Sequence, residues 1–140
     1  MAPLRFPLQK VMVIPLVERL LLQTDRTTTY SYQAVDLNEF AELGPHIETL
    51  RVLTITKNRT ANHAWRVDLT WSHDGMSLAV PFIALSAEMT ADAQVIHTEY
   101  TSSANFCARI LKIGLGARNS TGAAAESAIV SAWLVVTFKS

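Results

Sequence analysis

The sequence predicts an all-β protein built as a two-sheet sandwich. Apolar and polar residues alternate with a period of two in several short segments, and these recur at roughly the 8–12-residue spacing of sandwich strands. The clearest alternation puts Trp65, Val67 and Leu69 on one face, and Arg66 and Asp68 on the other. With 140 residues, 49% of them apolar, the chain is long enough for one domain with a substantial core.

Seven to nine short strands are predicted, because β-branched and aromatic residues dominate the segments between polar turns. For residues 16–22 a helical turn fits about as well, and a strand is preferred. Asp36 and Glu39 have capping-box spacing and Gly44-Pro45 would end a helix, so a short helix or turn is predicted at 37–43. The strands are expected at residues 16–22, 27–33, 49–56, 65–72, 76–82, 94–101, 106–115 and 128–138.

Two features predict the connections in the middle of the chain. Asp74-Gly75 is typical of a tight turn and predicts a hairpin between the strands on either side. Pro81 cannot donate a backbone hydrogen bond, so the return strand is expected to end at a sheet edge or a bulge. Residues 84–93 are rich in Ala, Glu and Met, and they fit either a helical turn or a loop that crosses between the sheets.

The alternation also predicts the core. Trp133 is in phase with Ile129 and Val135 on the last strand, so its indole is expected inside the sandwich. Cys107 is expected to be a small core residue, and the four histidines are expected in loops or on the surface. The predicted core residues are Leu50, Val67, Leu69, Trp71, Ile110, Trp133 and Val135.

Residues 1–15 are predicted to form an extended N-terminal arm, and residues 16–140 the β-sandwich domain. Prolines at positions 3, 7 and 15 fix the backbone and interrupt the apolar stretch, and no small-residue cleavage site follows, so no signal peptide is predicted. The apolar side chains of the arm have to be buried on the domain or on a neighbour. They are Leu4, Phe6, Leu8, Val11, Val13 and Ile14.

Composition argues against several classes of function. Twelve basic residues balance twelve acidic ones, which gives no net field for nucleic acid or anionic lipid. No apolar run is long enough to cross a bilayer. The single cysteine and the spacing of the histidines predict neither a metal nor a cofactor, and no serine lies in a nucleophile-elbow sequence. A non-enzymatic protein is therefore predicted.

Three segments carry a resemblance to a known family. They are Asp36-Leu37, Ile47-Glu48-Thr49-Leu50-Arg51-Val52 and Trp65-Arg66-Val67-Asp68-Leu69-Thr70-Trp71-Ser72-His73-Asp74-Gly75. This succession resembles the discoidin-type, galactose-binding-like jelly rolls, in which an Asp-Leu pair precedes a core strand and a later strand ends in Ser-x-Asp-Gly. The resemblance covers roughly residues 30–115 and implies a single jelly-roll β-sandwich.

Two functions are compatible with such a domain. A neutral sandwich with an apolar arm resembles bacteriophage virion accessory proteins, such as head-decoration or head-fibre components, which would be assembled in the host cytoplasm. In this first hypothesis the arm and an apolar sheet face bind copies of the chain or a larger assembly such as a capsid or tail. The alternative is a carbohydrate-binding domain that holds glycans in its loops, through Asn58, Arg59, His63, His73, Asp74, Tyr100 and Asn105.

Overall fold

The computed structural model describes residues 11–24, 28–36, 46–72, 79–98, 100, 110–121 and 125–138. In this part of the chain eight strands are present and no α-helix. The strands are β1 (Val11–Thr24), β2 (Ser31–Asp36), β3 (Ile47–Lys57), β4 (His63–Ser72), β5 (Ala79–Ala84), β6 (Gln94–Ile96), β7 (Ile110–Asn119) and β8 (Glu126–Phe138).

The eight strands form two four-stranded antiparallel sheets. Sheet A has the order β1-β8-β3-β6 and sheet B the order β2-β7-β4-β5. The first strand therefore pairs with the last, the second with the seventh, the third with the sixth and the fourth with the fifth. This nested pairing is the jelly roll, so the predicted fold class is confirmed.

The core lies between the inner faces of the two sheets. Trp65 on β4 is completely buried, and its indole N–H donates a 2.9 Å hydrogen bond to the Thr56 hydroxyl of β3 in the opposite sheet. Burial of a large ring with its one polar atom satisfied combines apolar stabilisation with a fixed position. The other large, fully buried apolar side chains are Ile47, Leu50, Val52, Val67, Leu69, Ile113, Leu115, Val130, Leu134 and Val136.

The predicted orientation of β8 is wrong. Ala132, Leu134 and Val136 point into the core, whereas Trp133 and Val135 lie on the outer face and are partly exposed. β8 is a central strand of sheet A and carries apolar residues on both faces, so a period of two cannot distinguish its inner face from its outer face. Trp71 and Ile110 belong to β4 and β7, but their side chains lie outside the described set.

β1 starts earlier than the predicted first strand. Residues 11–15, which the sequence analysis assigned to the arm, are extended and pair with β8 from Val11↔Thr137 to Pro15↔Trp133. Ile14 is buried, and Val11 and Val13 are exposed on the other side of the strand. Leu4, Phe6 and Leu8 lie outside the described residues, so the arm itself stays a prediction for residues 1–10.

The structure tests some of the predicted connections between strands. β4 and β5 pair antiparallel as predicted, and β5 is an edge strand, which accommodates Pro81. The predicted turn at Asp74-Gly75, the helix or turn at 37–43 and Cys107 lie outside the described residues. Residues 85–93 form a loop that passes from sheet B to sheet A and makes a short bridge between Met89 and Trp65.

The prediction that the histidines are in loops or on the surface is wrong for His63 and His97. Both imidazoles are buried between the sheets. His63 Nε2 lies 3.0 Å from the Leu22 carbonyl oxygen, and His97 Nε2 lies 2.9 Å from the Thr54 hydroxyl. Burial lowers the pKa of both imidazoles. For His63 the hydrogen bond to Leu22 raises the pKa, Arg59 lowers it further and Glu126 raises it.

This burial predicts a loss of stability in mild acid. Because the pKa values of both imidazoles are lowered on folding, the unfolded chain binds protons more readily below about pH 6.5. The free energy of unfolding is expected to decrease as the pH falls from about 7.5 to 5.5, as measured by urea denaturation. His63→Gln should weaken this pH dependence, and His46→Gln, at an exposed position, should leave it unchanged. A free energy of unfolding that rises over this range would contradict the prediction.

Candidate functional site

The outer face of sheet A carries several exposed apolar side chains, although the outer face of an antiparallel sandwich is normally polar. Val13 is 58% exposed, Leu21 54% and Ile96 65%. One row of paired residues crosses all four strands, in the order Pro15, Trp133, Leu53 and Ile96. Pro15 and Ile96 are exposed, and Trp133 and Leu53 are partly exposed. Apolar residues that reach the surface and adjoin one another in this way are typical of a surface covered by another protein.

A groove opens in this face beside the bulged part of β1. It has a volume of about 610 Å³. Trp133, Ile55 and Ile129 contribute its apolar lining, and the charged side chains of Glu18, Arg19 and Lys57 add polar groups. Asn58 and Ser131 complete the set of lining residues.

Backbone strain shapes this groove. Arg19 and Asn58 have φ angles of 50° and 53°, and they are the two non-glycine residues with positive φ in the described part of the chain. Both line the groove. A non-glycine residue in this region costs about 1–3 kcal/mol and persists only where the surrounding structure enforces it, which is common at binding sites.

The pairing of β1 with β8 enforces the conformation of Arg19. The register shifts twice, between Pro15 and Val17 and again between Val17 and Leu20, so the strand bulges away from its partner at this point. The backbone N–H of Arg19 then donates a 3.0 Å hydrogen bond to the Ser131 hydroxyl of β8. The groove is therefore preformed by backbone geometry.

The outer face of sheet B is different, because its polar groups bind one another. Asp68 is fully buried there and accepts hydrogen bonds from the Tyr32 hydroxyl at 2.7 Å and from Arg66 Nε at 3.0 Å. Tyr32 lies so close over Gly116 that a Cβ atom at this position would be 2.7 Å from its ring. Burial and the bond to Asp68 raise the pKa of Tyr32, so its hydroxyl stays protonated as a donor.

A second charged pair continues this polar face. Arg118 makes two hydrogen bonds to the Glu88 carboxylate, at 2.8 and 3.0 Å. The Arg66 guanidinium lies 4.2 Å from the centre of the Tyr30 ring, and that of Arg118 lies 5.3 Å away. The polar and aromatic side chains on the outer face of sheet B therefore bind one another, which makes sheet A the better candidate for an interface.

The described residues among those predicted to bind glycans do not form one cluster. Asn58 and Arg59 begin the loop after β3, where Arg59 donates to the His63 and Ala61 carbonyl oxygens at 2.6 and 2.9 Å. His63 is buried and Tyr100 pairs with Leu50. Leu50 and Asn58 are separated by eight residues of strand, or about 26 Å. His73, Asp74 and Asn105 lie outside the described residues, and glycan binding in these loops stays a prediction.

In the residues that the structure describes, no group of three His, Cys, Asp or Glu side chains could hold a metal ion. The same residues contain no helix that is long and apolar enough to cross a membrane.

Comparison with known proteins gives a structural likeness only. No protein-family model matches the chain, and no curated protein sequence matches it. A structure of the infectious bursal disease virus Gx strain matches with a TM-score of 0.59 and 13% identity, over 91% of this chain and 31% of that one. The VP2 subviral particle of the same virus matches with a TM-score of 0.58 and 14% identity, over 91% and 32% of the two chains.

A structure of the Gt strain of this virus is also similar, with a TM-score of 0.53 and 11% identity, over 91% of this chain and 33% of that one. This chain spans about a third of the length of each virus chain. At identities this low, the structural likeness establishes a shared sandwich fold and nothing further.

Proposed function

We propose that this protein is a non-enzymatic structural subunit of a virus particle, which binds copies of itself or other proteins of the particle. The observation that supports this most directly is the exposed apolar face of sheet A. The jelly roll is used repeatedly in viral capsids, and the similar solved structures come from virus particles. Localisation to the virion follows from this proposal.

We further propose that the subunit has an accessory role, such as decoration of a phage head or attachment of a head fibre. The polar network on sheet B and the apolar face of sheet A give the sandwich two unlike surfaces. A decoration protein needs one surface for the particle and another that remains in solvent. Sheet A fits the first and sheet B the second.

The experiment compares self-association of the natural chain with that of Val13→Lys/Leu21→Lys. Each side chain is more than half exposed on the outer face of sheet A, so lysine is compatible with the fold. Burial of each at an interface would contribute about 1.5–3 kcal/mol, and about 1.4 kcal/mol is a factor of ten in affinity. The double variant is therefore expected to weaken association at least a hundredfold in analytical ultracentrifugation.

The matched control is Ala34→Lys, which adds a lysine at an exposed position on the outer face of sheet B. It should associate like the natural chain. Electron microscopy of the associated material would show whether shells, tubes or discrete rings form. A natural chain that remains monomeric at high concentration and binds no particle protein would contradict the proposed function.

A further inference from the structure

We propose that the groove beside Arg19 and Trp133 receives the N-terminal segment of a second copy of this chain. This inference rests on the proposed function, because it names the partner of the apolar face. It would make the contact heterologous, with two different surfaces meeting at each interface. Such a contact repeats from copy to copy and generates a ring or an open array.

The groove and the N-terminal segment match in their apolar side chains. Trp133, Ile55 and Ile129 provide apolar lining, and they require apolar side chains to replace water. Ten residues precede Val11 in the sequence and carry the large apolar side chains of Leu4, Phe6 and Leu8 at alternate positions. A segment with this alternation presents all three side chains on one side when it is extended.

The segment leaves the sandwich at the first residue of β1. β1 runs from Val11 past Arg19 to Thr24, and the groove begins at Trp133, the partner of Pro15, and extends to Ile129, the partner of Leu21. Its near side therefore lies about four residues of strand from Val11, or about 13 Å, and its far side about eight residues, or about 26 Å. The apolar lining is spread over this distance from the point where the segment leaves.

Reach within one copy is limited. To return to its own groove the segment has to reverse direction, which uses a turn of about four residues. The six residues that remain span at most about 20–22 Å when fully extended. They reach Trp133, about 13 Å away, but stop short of Ile129, about 26 Å away, and Leu8 falls within the turn. One copy therefore cannot place all three apolar side chains along its own groove, whereas a groove on a neighbouring copy is subject to no such limit.

The backbone fixes the sides of the groove. Arg19 and Asn58 hold left-handed backbone conformations at its sides, and the Ser131 hydroxyl fixes one of them by a hydrogen bond. A preformed groove loses little conformational freedom when it is filled. Most of the conformational entropy lost on binding is then lost by the incoming segment.

Two variants test this inference by mixing. The segment variant is Leu4→Ser/Phe6→Ser/Leu8→Ser, which keeps the groove, and the groove variant is Ile55→Glu, which keeps the segment. Each alone is expected to associate at least tenfold more weakly than the natural chain. An equal mixture should form a one-to-one dimer in analytical ultracentrifugation, because the intact segment of one variant fills the intact groove of the other.

The matched controls are Arg5→Ser/Gln9→Ser, which alters polar positions of the same segment, and Ala34→Glu on sheet B. Both should associate like the natural chain. Circular dichroism and thermal unfolding should show that the segment and groove variants are folded, and Ile55→Thr replaces Ile55→Glu if the latter unfolds.

Each remaining outcome overturns the inference in a recognisable way. Full association by the segment variant alone means that the groove has another occupant, and full association by the groove variant alone means that association does not use the groove. Loss of association by both variants without recovery on mixing means that each copy has to supply both surfaces, as in a symmetric contact, which overturns the heterologous contact and leaves the proposed function intact. A natural chain that is monomeric overturns the inference together with the self-association in the proposed function.

Discussion

Trp65→Ala is expected to lower the free energy of unfolding by about 3–5 kcal/mol, the usual range for removing a large buried aromatic side chain. The indole is fully buried and its N–H bonds to the Thr56 hydroxyl across the sandwich. Truncation therefore leaves a cavity and removes a contact between the two sheets. Urea denaturation at neutral pH would measure the loss.

Trp133→Ala is the matched control, since it removes the same side chain from a partly exposed position on the outer face of sheet A. It should cost less than about 1.5 kcal/mol, because much of the ring already contacts solvent. Equal losses at the two positions would mean that the assigned orientation of β8 is wrong.

The positions of most strands could be predicted from the sequence, and so could the orientation of a strand with one polar face. β4 is the clearest case, since Arg66 alternates with the buried Val67 and Leu69, and its orientation was predicted correctly. β8 offered no such contrast, because Ile129 and Val135 are as apolar as the core residues between them. Its inner face is set by the register with β1 and β3, which no local pattern encodes.

The groove could not be predicted because it combines residues from three strands. Arg19 comes from the bulge of β1, Asn58 from the residue after β3, and Trp133 from β8. A partial signal is present at Glu18-Arg19, two charged residues inside an apolar run where regular alternation fails. Such a break is what a β-bulge produces, because the extra residue reverses the phase of the strand.

The buried histidines were missed for a related reason. His63 begins β4 next to a polar loop, and a histidine in this context is more often exposed. Its partner is the Leu22 carbonyl oxygen of β1, which is forty-one residues away in the chain. Only the stacking of the two sheets brings these groups together.

Asp68→Ala is expected to be the most damaging substitution on the outer face of sheet B. The Asp68 side chain is 0% exposed, and its Oδ2 accepts hydrogen bonds from both Tyr32 and Arg66. Removal of one partner from a buried ion pair typically costs about 3–5 kcal/mol. Arg66 is 30% exposed and water can solvate it in part, so a loss near the lower end, about 3 kcal/mol, is expected in urea denaturation.

Glu88→Ala provides the comparison for Asp68→Ala, because it removes the carboxylate of an arginine pair on the same face but in a more exposed setting. The side chains of Arg118 and Glu88 are 32% and 26% exposed, and such pairs contribute about 0–1 kcal/mol. The two alanine variants should therefore differ by about 2 kcal/mol or more, although both pairs have nearly the same N–O distances. If both variants lose the same small amount, Asp68 is hydrated in solution, and the Tyr32–Asp68–Arg66 network does not stabilise the contact between β2 and β4.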